Sequence, residues 1–247
     1  MPFLRGIQER LLFPIAAKRA NTIVAVSQST QNDLIKFFPS ASSKSVVVPL
    51  APFVPRATHK SELQKGTFER GFFLFVGTFE PRKNIVRLLK AYASLSIKQR
   101  SSHGLVLAGK TGWGKENYEK IVSDLGVGTN VLIVRPKNDE ELAAWYEAAF
   151  ALVMPSLYEG FGLPLLEANS YGVPVITSNN SSMPEVAGAA ALYIDAGSEN
   201  DIGLKMRQLV SSPELYKKLS GAALQNAQRF SWDKTAMILS ELFDVQD

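Results

Sequence analysis

The stretch ALVMPSLYEGFGLPLLEA, residues 151–168, reads as strand, loop and helix in immediate succession. Ala151-Leu152-Val153-Met154 is a short apolar run of the kind that forms a buried strand, and Leu165-Leu166-Glu167-Ala168 opens a helical pattern that closes near Gly172. Pro164 suits the first helical position, where its fixed φ helps and its missing N–H costs nothing. A buried strand delivered through a glycine loop into a helix is the building unit of a parallel α/β sheet.

Two carboxylates flank that loop: Glu159 within it, and Glu167 in the expected first turn of the helix. Gly160 and Gly162 allow a sharp turn and bring backbone N–H groups close to a ligand, at a helix N-terminus whose dipole favours negative charge. An anion whose neighbours carry hydroxyls, such as a nucleotide-sugar diphosphate, would use both the amides and the carboxylates. A glutamate in a first turn also simply complements the dipole, and glycines before a helix also simply turn the chain. The spacing alone leaves both readings open.

The same unit recurs on either side. Residues 72–76 form an apolar strand, followed by the loop Gly77-Thr78-Phe79-Glu80-Pro81-Arg82-Lys83-Asn84 and a helix from 85 to about 95, with Ile85, Leu88, Leu89 and Tyr92 at helical spacing. Gly77 permits close approach, and Arg82 and Lys83 supply the cations of a diphosphate clamp; an exposed basic turn is the alternative. Strands at 105–108 and 131–134 follow, with loops 109–114 and 135–138 and helices 116–125 and 139–149. Beyond the opening stretch come strands 175–177 and 191–194 and helices near 199–211 and 213–228. This alternation predicts an α/β fold, a Rossmann-like parallel sheet with helices on both faces. Ligands of such sheets bind beyond the carboxyl ends of the strands, where loops 77–84, 109–114, 135–138 and 155–163 gather.

The N-terminal fifty residues read differently. Residues 3–19 alternate apolar and basic positions around Pro14, which suits a helix packed on a neighbour or one lying on a membrane, kinked or broken at the proline. A strand at 22–26, a helix at 31–38 capped by Ser29 or Thr30, and a strand at 46–48 follow. Two strands and two helices do not close a sheet of their own, so this segment reads as the end of something larger. Residues 51–70, with Pro52, Pro55 and a polar run, read as an interdomain linker.

Composition narrows the chemistry. With 247 residues, 46% hydrophobic and 20% charged, this is an ordinary globular chain with ample core. A net charge of +4 suits an anionic ligand or an acidic membrane surface and is too weak and dispersed for a nucleic-acid footprint. There is no cysteine, hence no disulfide framework or thiolate zinc site, and only His59, in the linker, and His103, in a loop, are histidines; both are expected at the surface. No run of 18 apolar residues occurs, and Arg5, Glu9, Arg10, Lys18 and Arg19 break the first twenty positions. The expected location is the cytoplasm, with peripheral contact at the inner face of the membrane left open by the basic segment.

Phe-Val-Gly-Thr-Phe-Glu-Pro-Arg-Lys-Asn (75–84), the two glutamates at 159 and 167, and Tyr-Gly-Val-Pro-Val-Ile-Thr-Ser (171–178) followed by Met-Pro-Glu-Val (183–186) together resemble the retaining GT-B glycosyltransferases of family 4, group 1. The match runs from about residue 20 to the C-terminus. The resemblance implies the C-terminal, donor-binding half of a GT-B fold at 71–228, a partial N-terminal, acceptor-side α/β segment at 1–50, the linker 51–70, and a C-terminal crossover helix at 229–247. It implies that Glu167 holds the donor ribose and that the amides of Gly160, Phe161, Gly162 and Leu163 meet phosphate and sugar. Glu159 would sit at the transferred sugar, Lys83, helped by Arg82, would neutralise the diphosphate, and Arg135 and Pro136 would border the base; Gly77, Thr78 and Gly109 complete the expected donor-binding set. Glu159, Lys83 and Arg82 are thus the expected catalytic group. Two departures stand out: Thr78 occupies a position where many members carry arginine, and only the last portion of the usual N-terminal domain is expected here.

The function these readings imply is hexosyl transfer from a nucleotide-diphosphate sugar to a hydroxyl of a glycan or lipid-linked acceptor, in polysaccharide synthesis, with retention and with neither metal nor other cofactor. GDP-mannose is the donor preferred. The rival is a nucleotide-sugar-binding module inactive until a complementing N-terminal domain or subunit joins it. A hydrolase or epimerase on the same fold would want an acid or base that this histidine-poor chain does not display.

Overall fold

A computed structural model describes residues 3–55, 68 and 70–244 of the chain. The chain divides into two compact units, 1–51 with 230–247, and 52–229. Most of the expected linker, His59 included, lies outside the described residues.

The first unit opens with α1 (Phe3–Arg19), which runs unbroken through Pro14, then β1 (Ile23–Ala25), α2 (Gln28–Phe37) and β2 (Ser45–Val47). β1 and β2 pair in parallel, Ile23 opposite Ser45, as a two-stranded sheet. The cap of α2 is Ser27, not Ser29 or Thr30: its backbone is extended (φ −152°, ψ 160°) and its Oγ accepts from the Thr30 N–H at 3.0 Å. A capping residue must stand outside the helical dihedrals, and positions 28–30 are already inside them.

The second unit carries β3 (Phe72–Val76), α3 (Ile85–Ala93), α4 (Ile97–Ser102), β4 (Gly104–Ala108), α5 (Tyr118–Asp124), β5 (Val131–Val134), α6 (Asp139–Ala148), β6 (Ala151–Met154) and α7 (Leu163–Ser170). It continues through β7 (Val175–Ser178), α8 (Met183–Ala187), β8 (Ala191–Ile194), α9 (Glu199–Ser211) and α10 (Pro213–Ala227). The chain then enters α11 (Trp232–Asp244) of the first unit, where Thr235 Oγ1 donates to the Pro49 carbonyl at 2.7 Å.

All six strands of the second unit are parallel, in the order β5-β4-β3-β6-β7-β8. Every residue of β3, β4, β6 and β7 is buried, which is why these runs are continuously apolar and do not alternate. The edge strand β5 is half-buried throughout. α3 packs against α9, and α7 against α10. α4 and α8 were not expected. α4 shows no apolar periodicity and is held by a capping box between Ser96 and Gln99, a signal present in its sequence.

His103 is not a surface residue. It ends α4 and leads into β4, is 4% exposed, and sets its ring edge-on against Phe150 at 4.4 Å, with Phe73 beside it. Polar neighbours at 100–102 disguise a position that the entering strand carries into the core. Burial, reinforced by the charge of Arg70, lowers its pKa below the ordinary 6.5. An imidazole that stays neutral when folded leaves stability intact above the unfolded pKa and removes it as pH falls through 6.5 towards the folded value, because the unfolded chain takes up the proton first. Denaturant titrations at a series of pH values are expected to show this decline below about pH 6.5 in the native chain and a smaller one in His103→Phe.

Candidate functional site

The strand order brings together loops that lie far apart in the chain. The chain runs outward from β3 to β5, then returns to β6 on the other side of β3, so the crevice between β3 and β6 is the topological switch point. Loop 77–84 leaves β3 there and loop 155–162 leaves β6. The Leu157 N–H donates to the Arg82 carbonyl at 2.8 Å, joining them backbone to backbone. Asn84, buried and left-handed (φ 63°), donates its Nδ2 to the carbonyls of Pro155 (2.9 Å) and Ala196 (2.8 Å).

The Glu159 carboxylate is the centre of this junction. Its Oε1 accepts from Lys83 Nζ at 2.6 Å and Ser156 Oγ at 2.7 Å, and its Oε2 accepts from Arg82 Nη1 at 2.7 Å. The side chains of Glu159 and Lys83 are each 8% exposed, whereas that of Arg82 is 42% exposed and also bridges to Glu80 at 3.0 Å. Burial opposes ionisation of Glu159, but the Lys83 ammonium and the hydrogen bonds from Lys83, Ser156 and Arg82 outweigh it and hold the carboxyl below its ordinary range. This part of the crevice is therefore a preformed cationic pair tied to one carboxylate.

The backbone around the junction is closely packed at two glycines. A Cβ on Gly77 (φ 151°) would come within 3.3 Å of Lys83 Cε, and a Cβ on Gly109 would lie 1.9 Å from the Gly77 carbonyl oxygen. Glycine at these positions lets the first turns after β3 and β4 press together, with the Lys83 ammonium against the Gly77 backbone. From the other side, the loop after β7 holds loop 155–162: Ser181 Oγ accepts from the Glu159 N–H at 3.1 Å, and Ser182 Oγ donates to the carbonyls of Glu159 (3.0 Å) and Phe161 (2.8 Å). Asn84 and Ser181 (φ 45°) are the non-glycine residues with positive φ among those described, and both lie here, where strain is held by surrounding bonds.

Glu167 falls in the second turn of α7, not the first, because the helix begins at Leu163 with Gly162 (φ 99°) as its cap. It therefore does not serve as a dipole complement at the helix start. Its Oε2 accepts from the Tyr146 hydroxyl at 2.6 Å; the Tyr146 ring stacks on Tyr171 (5.9 Å, 12°), whose hydroxyl donates to the Pro55 carbonyl at 2.6 Å. A cavity of 110 Å³ opens beside them, lined also by Phe53, Asp139 and Leu142. Burial raises the Glu167 pKa, the Tyr146 hydrogen bond partly offsets this, and Asp139 adds to the rise. The two glutamates are thus shifted in opposite directions.

Of the sequence-predicted residues, Gly77, Arg82, Lys83, Gly109 and Glu159 are brought into one cluster, with Phe161 and Gly162 buried directly behind it. Gly160 and Leu163 are half-buried along the same turn. Thr78 is exposed, its methyl over Gly112. Arg135, also exposed, donates to Thr111 Oγ1 at 3.2 Å, and half-buried Pro136 follows it. Asn84 and Ser156 were missed although they lie inside the quoted motifs, and Ser181 and Ser182 sit in a polar run that spacing does not single out. Tyr146 carried no signal: in sequence it is one more apolar position on α6. Among the described residues no three His, Asp or Glu side chains converge as a metal site.

Breaking the buried pair from one side should be costly. Lys83→Met leaves Glu159 with fewer cations and is expected to lose on the order of 3 kcal/mol in urea denaturation, with much of that recovered in Lys83→Met/Glu159→Gln. Gly109→Ala is expected to cost about 1–3 kcal/mol through the clash with Gly77, while Gly128→Ala, whose Cβ meets nothing within 4 Å, stays within about 0.5 kcal/mol of the native chain.

Comparison with known proteins bears on this geometry. The family model described as "Glycosyl transferases group 1" matches residues 59–226. The O-antigen chain mannosyltransferase B of Escherichia coli is 36% identical over 223 residues, covering 87% of this chain and 58% of that protein. The serotype-specific mannosyltransferase WbdA of Escherichia coli is 31% identical over 237 residues, 92% of this chain and 29% of that one. The chain therefore spans less than two thirds of the length of these relatives. Among solved structures, Anabaena HepE in complex with UDP-glucose superposes with a TM-score of 0.84 at 18% identity, over 96% of this chain and 67% of that one. The sucrose-phosphate synthase of Thermosynechococcus elongatus superposes at 0.80 with 24% identity, over 95% of this chain and 60% of that one. These likenesses give the α/β architecture of the GT-B glycosyltransferases. With two thirds of its length matched by the family model and a buried cation–carboxylate junction at the switch point of its sheet, this chain belongs to the group 1 glycosyl transferases.

Proposed function

We propose that the 52–229 unit binds a nucleotide-diphosphate sugar and that the protein transfers its hexose to a hydroxyl of a glycan or lipid-linked acceptor, in surface-polysaccharide synthesis, with retention at the anomeric carbon. The observation that carries this reading is the Lys83–Glu159–Arg82 junction. Two cations from one loop are held side by side at the carboxyl edge of the sheet, where an incoming diphosphate would find them already oriented. Preorganised charge of this kind stabilises a leaving group because no rearrangement is needed as charge develops.

In the proposed reaction the bond between the anomeric carbon and the donor phosphate oxygen breaks, and the acceptor oxygen bonds to that carbon on the same face. The acceptor proton passes to the departing phosphate oxygen. Lys83 and Arg82 take up the growing negative charge, without a metal ion. Glu159 keeps both cations aimed and lies where the transferred sugar would sit. Glu167 accepts from the ribose hydroxyls, a task suited to a carboxylate with free lone pairs. Arg135 and Pro136 border the base, and Thr78 lines the diphosphate approach, where its short side chain leaves charge neutralisation to Arg82. The names of the Escherichia coli relatives favour mannose, and GDP-mannose is the donor we prefer.

A second reading, a donor-binding module that needs a complementing acceptor-side domain or subunit, is favoured by the small first unit, whose sheet has only two strands among the described residues. No helix among the described residues is long and apolar enough to cross a membrane. Exposed Leu11, Leu12 and Ile15 beside Lys18 and Arg19 on α1 favour peripheral contact with the inner face of the membrane from a cytoplasmic location.

Thermal melts against UDP, GDP and dTDP and their sugars are expected to show stabilisation by at least one nucleoside diphosphate. Lys83→Ala and Glu167→Ala should each weaken that ligand roughly tenfold or more. If no nucleotide raises the melting temperature of the native chain, the donor-site proposal fails. On the module reading, residues 1–247 alone bind the nucleotide sugar without transferring its sugar to an acceptor; sugar transfer by the purified chain would refute that reading and support the first.

A further inference from the structure

Tyr146 is the least expected polar group near the candidate site. It is fully inside α6, 2% exposed, and no part of the proposed chemistry needs a phenol there. Yet its hydroxyl donates to Glu167 Oε2 at 2.6 Å, and its ring is clamped by parallel stacking on Tyr171, which is itself anchored through Pro55. A buried phenol whose ring is held by stacking has its oxygen fixed in place, and its O–H turns to the acceptor beside it. We infer that Tyr146 is a positioning residue that sets the orientation of the Glu167 carboxylate, and so determines how well this site distinguishes a ribose that bears its hydroxyls from one that lacks them. This rests on the reading of Glu167 as the ribose acceptor.

Three observations converge on the assignment. The Tyr146 hydroxyl donates to Oε2, and among the described residues no hydrogen-bond donor meets Oε1, which leaves that oxygen for a ligand. The cavity beside the pair measures 110 Å³, room for about four waters at ~30 Å³ each, or for one small polyol ring. The carboxylate is carried on α7, the helix that starts directly after the loop bearing Glu159, the partner of Lys83 and Arg82. A glutamate has three side-chain torsions; without the phenol bond the carboxylate would have to be ordered by the ligand itself, at a cost in affinity. Burial with Asp139 nearby also pushes the Glu167 proton affinity up, and the Tyr146 bond is what counters this.

The test is calorimetric titration of the full chain with GDP and UDP and with their 2′,3′-dideoxy counterparts, for the native protein and Tyr146→Phe. Phenylalanine keeps the ring and its stack on Tyr171 and deletes only the hydroxyl. Tyr146→Phe is expected to weaken the ribonucleotide roughly 3- to 10-fold and leave the dideoxy ligand unchanged. Equal losses on both, or none on either, would overturn the assignment, the first marking a purely structural tyrosine and the second an idle one. A ligand-free readout keeps the two proposals separable. In carbon-13 carboxyl spectra, the Glu167 titration is expected to move to higher pH in Tyr146→Phe, and an unmoved midpoint would also overturn the assignment. If the native chain binds no nucleotide but that midpoint moves, the donor-site reading falls while Tyr146 still orders Glu167; in that case the inferred role in ribose discrimination is overturned with it.

Discussion

A carboxylate buried where two loops meet stays charged only if positive charge is buried with it. Removing each ion from water costs several kcal/mol, and only close contact with several donors returns that cost. Glu159 meets this condition through Lys83, Ser156 and Arg82, and the condition ties two loops 76 residues apart in the chain. Much of the local geometry follows from it. Gly77 leaves space for the Lys83 ammonium, Gly109 lets the neighbouring turn close over Gly77, and Asn84 and Ser181 take positive φ so that their side chains can hold the loop carrying Glu159. The junction is built as a unit, and each member is held by bonds to the others or to the backbone around them.

The two glutamates show how one short stretch supplies two different groups. Glu159, among cations, has its pKa held below the ordinary glutamate value of 4.5; its stabilising contribution is present above that ordinary value and is lost as pH falls through the lower folded one. Glu167, buried with a phenol and a second carboxylate nearby, is shifted the other way. The first arrangement suits fixing charge against a diphosphate. The second leaves one carboxylate oxygen without a hydrogen-bond donor among the described residues, as the proposed contact with hydroxyls requires. Pairs of titratable groups pushed apart by their surroundings are a recurrent feature of functional sites.

Family membership and site geometry support one another at different levels. The family model and the mannosyltransferase relatives speak for the class of protein, and the structural likenesses, all below 25% identity, speak for the fold. The contacts of individual residues add what the comparisons do not: which cation meets which carboxylate oxygen, and which tyrosine donates to Glu167. Thr78 illustrates the point. It stands where a charged side chain is common in the family, and in this chain Arg82, bridged between Glu80 and Glu159, provides the second positive charge of the junction.

The parallel α/β class, the six strands of the larger sheet and most of its helices were legible in the sequence, because buried parallel strands are continuous apolar runs and amphipathic helices repeat at helical spacing. The loops bearing Lys83, Arg82 and Glu159 were legible for the same reason, since each follows such a strand. Short polar α4, the burial of His103 and the cap at Ser27 were not, because they depend on what lies across from them and not on their neighbours in the chain. The order of the strands was decided only by tertiary pairing: β6 joins β3 on the side opposite β4, and that non-local choice makes the switch point fall between Lys83 and Glu159. Local pattern therefore determined which groups stand at the carboxyl edge of the sheet. Packing alone decided that Glu159 faces two cations while Glu167 faces Tyr146, because side-chain partners are set by distance in space, which the spacing of residues along the chain does not carry.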